Sequence, residues 1–455
     1  MGMPDTLPVY NPATGAVVGT IPDATADDID AAVSRAHSCE KTWAGYAASR
    51  RAVILVRAAM LIRERLPQLS ALLNAEQGKP LREARDELQG AAHVFEYYAS
   101  VSGTVAGESR QIPPYGFLNV VRKPVGLCAA IVPWNMPAII FAWKAGGALA
   151  CGNCVLAKPS QTAPLTVAAL ADILEEAGLP AGVLQVVHGR GVQAGSLLVR
   201  HPDIAHVSFT GSQKTGIEVS QAAAPYLKKL TLELGGNDAF IVTDSADLKA
   251  AVTAAVRHRF YNCGQVCTSP KRILVHESCA DAFVTMAAEK IGALKVGNGA
   301  EGADVGPLNN PVQTDLIEHA VDDIVGSGAG TLVAGGSRIQ GNFYAPTLLK
   351  DVEPSAVRDE LFGPVMPVIP FADTEEALRI ANGTAYGLGA SVWTRDLKSA
   401  RDIAAELKAG VVWINKHLVL PPELPFGGVG MSGYGRENGT EFYQEYTYAK
   451  SILLG

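Results

Sequence analysis

The sequence predicts an α/β protein in which helices cover parallel sheets. Three observations carry that reading. Apolar runs of strand type recur at roughly 25-residue spacing with helical patterns between them, the signature of right-handed βαβ crossovers. At 455 residues the chain exceeds what one hydrophobic core organises, so two or three packed units are expected. Apolar residues make up 48% and charged residues 18%, enough material for large cores.

Taken in order, residues 25–100 are rich in Ala, Leu, Arg and Glu at helical spacing and read as several amphipathic helices. From Gly107 to Gly126, alternating β-formers around a Pro-rich turn predict a hairpin outside the main layers. The alternation then starts. The strand GLCAAIVPW leads into the helix PAIIFAWKAGGALACG, and the strand NCVLAKPS into a helix that stops at Gly178. VLQVVHG, VQAGSLLVRH, IAHVSFTG, a short helix and KKLTLELGG follow as strand, helix, strand, helix, strand. Ligands of such sheets sit at the carboxyl ends of the strands. Here those ends carry Trp134-Asn135, Lys158 to Ser160, Gly189 to Gly191, Thr210 to Ser212 and Glu233. A second alternation begins near Leu248 and runs to GVVWIN. The last segment, EFYQEYTYAKSILL, reads as an edge strand that needs a partner.

Composition excludes several classes. Lys plus Arg number 38 against 45 Asp plus Glu, a net charge of −7, which offers no basic footprint for nucleic acid or anionic lipid. The first residues lack the basic and apolar regions of a signal peptide, Gly2 lacks the spacing for myristoylation, and no long uncharged apolar run spans a membrane. A cytoplasmic protein is expected. Seven cysteines are odd in number and thinly spread, which is no disulfide framework, and nine histidines show no zinc spacing. No metal is expected.

FYNCGQVCTSPKR places Cys263 and Cys267 four residues apart. By themselves they could be core filler, metal ligands, half of a disulfide or a nucleophile. Three glycine patterns compete for a nucleotide. GVGMSG, Gly428 to Gly433, has no helical pattern after it and reads as a turn; GRGVQA, Gly189 to Ala194, lacks an acidic residue at the end of the following strand. FTGSQKTG brackets a helix start capped by Ser212, whose free N–H groups suit a pyrophosphate.

Seven stretches in one order settle what these motifs resemble: PWNMP, WKAGGALACGNCVLAKPS, FTGSQKTG, LELGGND, NCGQVCTSP, ELFGPV and PFGGVGMSGYG. Together they resemble the aldehyde dehydrogenase superfamily over essentially the whole chain. The resemblance implies a Rossmann-like coenzyme domain (residues 1–106 and 124–234), an α/β catalytic domain (235–435) and a bridging oligomerisation β-flap (107–123 and 436–455). It implies a homodimer or homotetramer that takes a small-molecule aldehyde.

By the same resemblance Cys267 is the nucleophile, Glu233 the general base and Asn135 an oxyanion donor, with Lys144 assisting proton transfer. Cys263 is incidental, and Cys151 and Cys154 are small buried residues. NAD or NADP is implied, NAD favoured. Its site would draw on Ile131, Pro133, Trp134, Lys158, Ser160, Gln161, Gly191, Gly195, Phe209, Thr210, Gly211, Ser212, Leu234, Gly235, Glu360 and Phe362. The substrate pocket would draw on Met136, Ile140, Trp143, Tyr261, Val266, Thr268 and Phe426. Two positions depart from the family pattern. Gln161 stands where NAD-preferring members carry Glu, which leaves NADP use open, and Gly430 stands where Lys usually follows PFGG.

The chemistry implied is oxidation of an aldehyde to its acid through a thiohemiacetal and a thioacyl-enzyme on Cys267. A mostly apolar pocket without an Arg pair favours aliphatic or aromatic aldehydes over a carboxylate-bearing semialdehyde, the alternative. Glu233 speaks against transfer to CoA. A non-redox thioesterase or esterase and an inactive binding protein on the same fold are the readings from other classes.

Overall fold

Helices of small and apolar residues need a sheet to cover, and the order of elements supplies two. A computed structural model describes residues 6–455, so Gly2 lies outside the described residues. The chain opens with a hairpin, β1 (Thr6–Tyr10) and β2 (Val17–Pro22), that the sequence reading missed. Four helices follow: α1 (Ala26–Ala44), α2 (Ala48–Glu64), α3 (Leu66–Gln77) and α4 (Leu81–Val101). Thr25 starts α1 with a reciprocal capping box to Asp28.

Next come the hairpin β3 (Glu108–Ile112) and β4 (Gly116–Pro124), and then the first alternation. It runs β5 (Leu127–Val132), α5 (Pro137–Ala150), β6 (Cys154–Pro159), α6 (Leu165–Glu176) and β7 (Leu184–Val186). A π turn, Gly191–Gly195, leads into α7 (Ser196–Arg200), then β8 (Ile204–Thr210), α8 (Gln213–Ala223) and β9 (Lys229–Glu233). Strands β5 to β9 are parallel, in the order β9-β8-β5-β6-β7. Chain order reverses at β5, so the crevice beyond β5 and β8 is the expected ligand position.

The second sheet starts earlier than Leu248, with β10 (Ala239–Val242). It continues through α9 (Leu248–Phe260), β11 (Arg272–His276), α10 (Glu277–Gly292) and α11 (Pro311–Gly326). Strand β12 (Thr331–Ala334) precedes a small hairpin, β13 (Arg338–Gln340) with β14 (Phe343–Tyr344), and β15 (Thr347–Lys350). Strand β16 (Val365–Phe371), α12 (Thr374–Ala381), β17 (Gly389–Trp393), α13 (Leu397–Glu406) and β18 (Val411–Ile414) complete it. The order is β12-β15-β16-β11-β10-β17-β18, all parallel except β12 against β15.

Two hydrophobic cores match the two sheets. The first also takes Trp413, Phe426, Phe442 and Tyr446 from late in the chain. The two-residue strand β19 (Gly433–Tyr434) adds antiparallel to β9. The final segment is not strand throughout: Tyr443–Tyr446 make one helical turn, α14, because Phe442 and Tyr446 are drawn into the first core. Strand β20 (Thr447–Leu454) then pairs with β4 along its whole length, exposed beyond Thr447. No described helix is long and apolar enough to cross a membrane.

Candidate active site

Glu233 ends β9, whereas Cys267 and Lys271 precede β11. The site therefore lies where the carboxyl ends of the first sheet meet the amino ends of the second. A Cβ added at Gly236 would come within 2.6 Å of the Cys267 carbonyl oxygen, so the two loops touch backbone to backbone.

The loop before Cys267 is held in an unusual shape. Asn262 (φ 49°) and Cys263 (φ 55°) are consecutive left-handed residues without glycine, a conformation costing on the order of 1–3 kcal/mol each. Its surroundings over-determine it. The Asn262 N–H donates to Glu83 Oε2 at 2.7 Å, and Gln265 Nε2 donates to the Asn262 carbonyl at 3.0 Å. Gln265 Oε1 accepts from the Asn309 N–H at 2.9 Å. The buried guanidinium of Arg259 donates to Ser269 and to the carbonyls of Leu361 and Gly363, tying this loop to the one carrying Glu360. Cys263 packs into the second core, and burial raises its thiol well above the ordinary range.

Cys267 is only part-buried, yet its surroundings push its thiol up to about 12 by removing water from the charged form. Lys271 opposes that shift, and Glu360, Asp238 and Glu233 add to it. The Lys271 ammonium donates to the carbonyls of Val266 (2.8 Å) and Cys267 (2.5 Å) and pairs with Glu360 Oε1 at 3.1 Å.

Asn135 sits between β5 and α5 with its amide Nδ2 donating to the Gln265 carbonyl at 3.0 Å. Its own carbonyl accepts from Lys79 Nζ and from Asn262 Nδ2, both at 2.8 Å. Glu233 is 3% exposed, and neither carboxylate oxygen finds a hydrogen-bond partner among the described residues. Burial raises its pKa well above the usual carboxylate range; Glu437 adds to the shift, while Lys144 and Arg436 oppose it.

Glu233 is clipped from outside. Gly433 pairs with Glu233 at φ 107°, and a Cβ there would stand 1.9 Å from the Leu232 carbonyl oxygen. GVGMSG is thus a turn, as read, but one that borders the site. Gly430 takes φ 60°, which suits glycine where the family has Lys. Lys144 is fully buried and donates to Ser208 Oγ at 2.7 Å and to Glu437 Oε1 at 3.0 Å. Glu437 carried no motif or periodicity in the sequence.

Beyond β5 and β8 opens a cleft of about 520 Å³ lined by Ile131, Lys158, Gly191, Gly195 and Phe209, with Thr215 and Arg200 that the sequence did not single out. Lys158 is buried, its ammonium donates to the Pro159 carbonyl at 2.9 Å, and burial lowers its pKa to about 8. Ser160 and Gln161 lie on the turn after Pro159, outside that lining. Thr210 pairs in register with Glu233, and a Cβ at Gly211 would meet the Phe209 ring at 2.5 Å. Ser212 caps α8, accepting from the Thr215 N–H at 3.3 Å.

At the inner end, a Cβ at Gly235 would lie 2.2 Å from Glu360 Oε2, and one at Gly216 would meet Leu234 at 2.5 Å. Trp134 follows the part-buried Pro133 and stacks edge-on against Phe362 at 5.6 Å. On the substrate side, Trp143 lies 5.1 Å from Phe426, two turns of α5 beyond Met136 and one beyond Ile140. Val266 and Thr268 flank Cys267 and are buried, and the indole N–H of Trp143 and the hydroxyl of Thr268 have no partner among the described residues. Tyr261 is half-buried. It lines a separate groove with Arg82 and Asp86, and its hydroxyl approaches the Glu83 carbonyl at 3.5 Å, because the chain reverses at Asn262 and Cys263.

The chain is similar to several solved structures. Succinate-semialdehyde dehydrogenase from Burkholderia pseudomallei is 39% identical with a TM-score of 0.97, covering 99% of this chain and 94% of its own. Betaine aldehyde dehydrogenase from Staphylococcus aureus, a point mutant in complex with NAD+, is 32% identical with a TM-score of 0.96, covering 99% and 94%. An NADP-dependent enzyme of E. coli is 35% identical with a TM-score of 0.97, covering 99% and 95%. The sequence profile of the aldehyde dehydrogenase family matches residues 2–452, and the chain belongs to that family.

Proposed function

We propose that the protein oxidises an aldehyde to its carboxylic acid with NAD+ or NADP+ as hydride acceptor and water as the source of the second oxygen. One observation carries this reading: a part-buried thiol, a side-chain amide and a buried, unpartnered carboxylate converge where the two sheets meet. The cleft beyond β5 and β8 fits a nucleotide in size, and its buried ammonium, Lys158, is bonded among the described residues only to a carbonyl, which suits ribose hydroxyls. Lys158, Phe209, Gly211 and the α8 N-terminus would hold the adenosine and pyrophosphate, with Gly235, Glu360 and Phe362 toward the nicotinamide. The coenzyme, when bound, accepts the hydride.

The residues do the rest. The Cys267 thiolate attacks the carbonyl carbon, and the resulting oxyanion is held by the Asn135 amide and the Cys267 N–H, each worth about 3 kcal/mol. Loss of hydride leaves the acyl group on sulfur. Glu233, without a hydrogen-bond partner among the described residues and made a stronger base by its burial, takes in its ionised form a proton from the water that attacks the thioester. Lys144 and Glu437 lie close enough to influence that proton through their charges.

Buried apolar side chains at Ile140, Trp143, Val266 and Phe426, and the Trp143 and Thr268 donors without a partner among the described residues, favour an uncharged aldehyde carrying an acceptor group. We further propose the division into coenzyme domain, catalytic domain and flap, with homo-oligomer formation through β3, β4 and β20. The exposed β20 side chains Tyr448, Leu453 and Leu454 support this, since such edges demand a partner. Absorbance of reduced coenzyme across an aldehyde panel with both coenzymes tests the activity; turnover of esters without any aldehyde oxidation would replace it with an esterase.

A further inference from the structure

We propose that Lys79 and Glu87 are positioning residues that set Asn135 for the reaction. The proposal rests on Asn135 being the oxyanion donor. Lys79 follows the C-cap of α3 and has no exposed side-chain surface, and neither has Glu87 on α4. The Lys79 ammonium is fully committed: one contact goes to Glu87 Oε2, one to the Asn135 carbonyl at 2.8 Å and one to Met136 Sδ at 3.2 Å.

Glu87 uses its other oxygen on the same stretch. Its Oε1 accepts from the Ala138 N–H at 2.8 Å and the Ile139 N–H at 3.3 Å. Met136, at the N-cap of α5, supplies no side-chain cap, so a carboxylate from another helix replaces it. The pair therefore grips the backbone on both sides of Met136 and Pro137, at Asn135 and at Ala138. From the far side Asn262 Nδ2 donates to the same Asn135 carbonyl. The Asn135 amide is then left with one N–H committed to Gln265 and the other available.

A structural role alone does not account for this pair. Replacing a buried ion pair with apolar residues is often neutral or stabilising, so stability does not require it. Its four hydrogen-bonded targets, in contrast, all lie on the one stretch from Asn135 to Ile139. A shift of about 1 Å in such a group costs on the order of 10²-fold in rate.

The test is a double-mutant cycle on the full-length enzyme, using Lys79→Met, Glu87→Gln and Asn135→Ala. It reads the single-turnover rate of coenzyme reduction, coenzyme Kd and the rate of Cys267 alkylation. Lys79→Met should slow reduction by about 10²-fold while Kd and alkylation change less than about twofold. In the Asn135→Ala background the same change should cost less than about twofold, because the amide it positions is gone. Glu87→Gln keeps an acceptor for the Ala138 N–H but loses the charge, and it should show the same non-additivity; it stands in if Lys79→Met does not fold. Additive losses, or losses matched by weaker coenzyme binding, would overturn the proposal. A harmless Asn135→Ala would instead overturn the oxyanion reading, whereas a crippled Asn135→Ala beside a harmless Lys79→Met would overturn only the positioning role.

Discussion

Glu83 and Glu87 stand one turn apart on α4, and each carboxylate caps a backbone N–H in a different half of the site: Asn262 for Glu83, Ala138 for Glu87. One helix, α4, thereby sets the spacing between the loop of Cys267 and the helix that follows Asn135.

Glu83 gives stability a pH dependence. Burial raises its pKa to about 7, with the Asn262 N–H opposing the shift. An acid raised in the folded state binds more protons folded than unfolded between about 4.5 and 7, so stability falls as pH rises through that window and is level above it. Glu83→Gln retains an acceptor for the N–H and should flatten the slope by up to about 3 kcal/mol between pH 5 and 8. Denaturant melts at the two pH values check this; Glu76 and Asp238, also raised to about 7, leave a residual slope of the same sign.

Thiol reactivity should follow the charges around Cys267. Lys271→Met removes the cation that opposes the upward shift, and alkylation of the coenzyme-free enzyme should slow at every pH below about 10. Glu360→Gln removes a carboxylate that adds to the shift and should speed alkylation. Opposite signs for the two variants are the expected result; matching signs would mean that loop movement, not charge, controls the thiol.

Cys267→Ala should abolish aldehyde oxidation with coenzyme binding intact, and Cys263→Ala should leave turnover within about threefold, since its side chain faces the second core. Equal losses would point to a functional pair of cysteines.

Glu233→Gln should still permit one oxidation. Stopped-flow should show a burst of reduced coenzyme near one per site, then a steady state about 10²-fold slower, with an acyl adduct on Cys267 by intact-protein mass spectrometry. A variant with neither burst nor adduct would move Glu233 to thiol activation.

Gln161→Glu should lower kcat/KM for NADP more than for NAD. A carboxylate facing a 2′-phosphate costs on the order of 1 kcal/mol or more. An unchanged ratio would agree with the exposed side chain turning away from the cleft.

The central strands were legible because fully buried parallel strands are continuous apolar runs, and β5, β6 and β8 are of that kind. Four-residue β10, following LELGGND, was too short to register. Tyr443–Tyr446 read as strand because aromatics favour strands, and only the first core makes it helical. In the candidate site, motifs singled out Cys267, Glu233 and Asn135. Glu83 and Glu87 were invisible, because charges at helical spacing are also how a solvated helix face looks, and Lys79, in the turn between α3 and α4, carried no pattern at all. Burial by distant segments alone distinguishes the two cases.

The two residues of β19 have a consequence for biosynthesis. Strand β9 leaves the ribosome long before Gly433, and at 5–20 residues per second the wait is on the order of 10–40 s. Through that interval the Glu233 strand is an open edge, and the segment carrying Glu437 has not been made. A nascent chain, or one truncated ahead of Gly433, holds the Cys267 loop and Asn135 yet lacks the strand that pairs with Glu233. Translation thus assembles the catalyst last, and a stalled product is an unprotected strand edge for chaperones to cover rather than a slow enzyme.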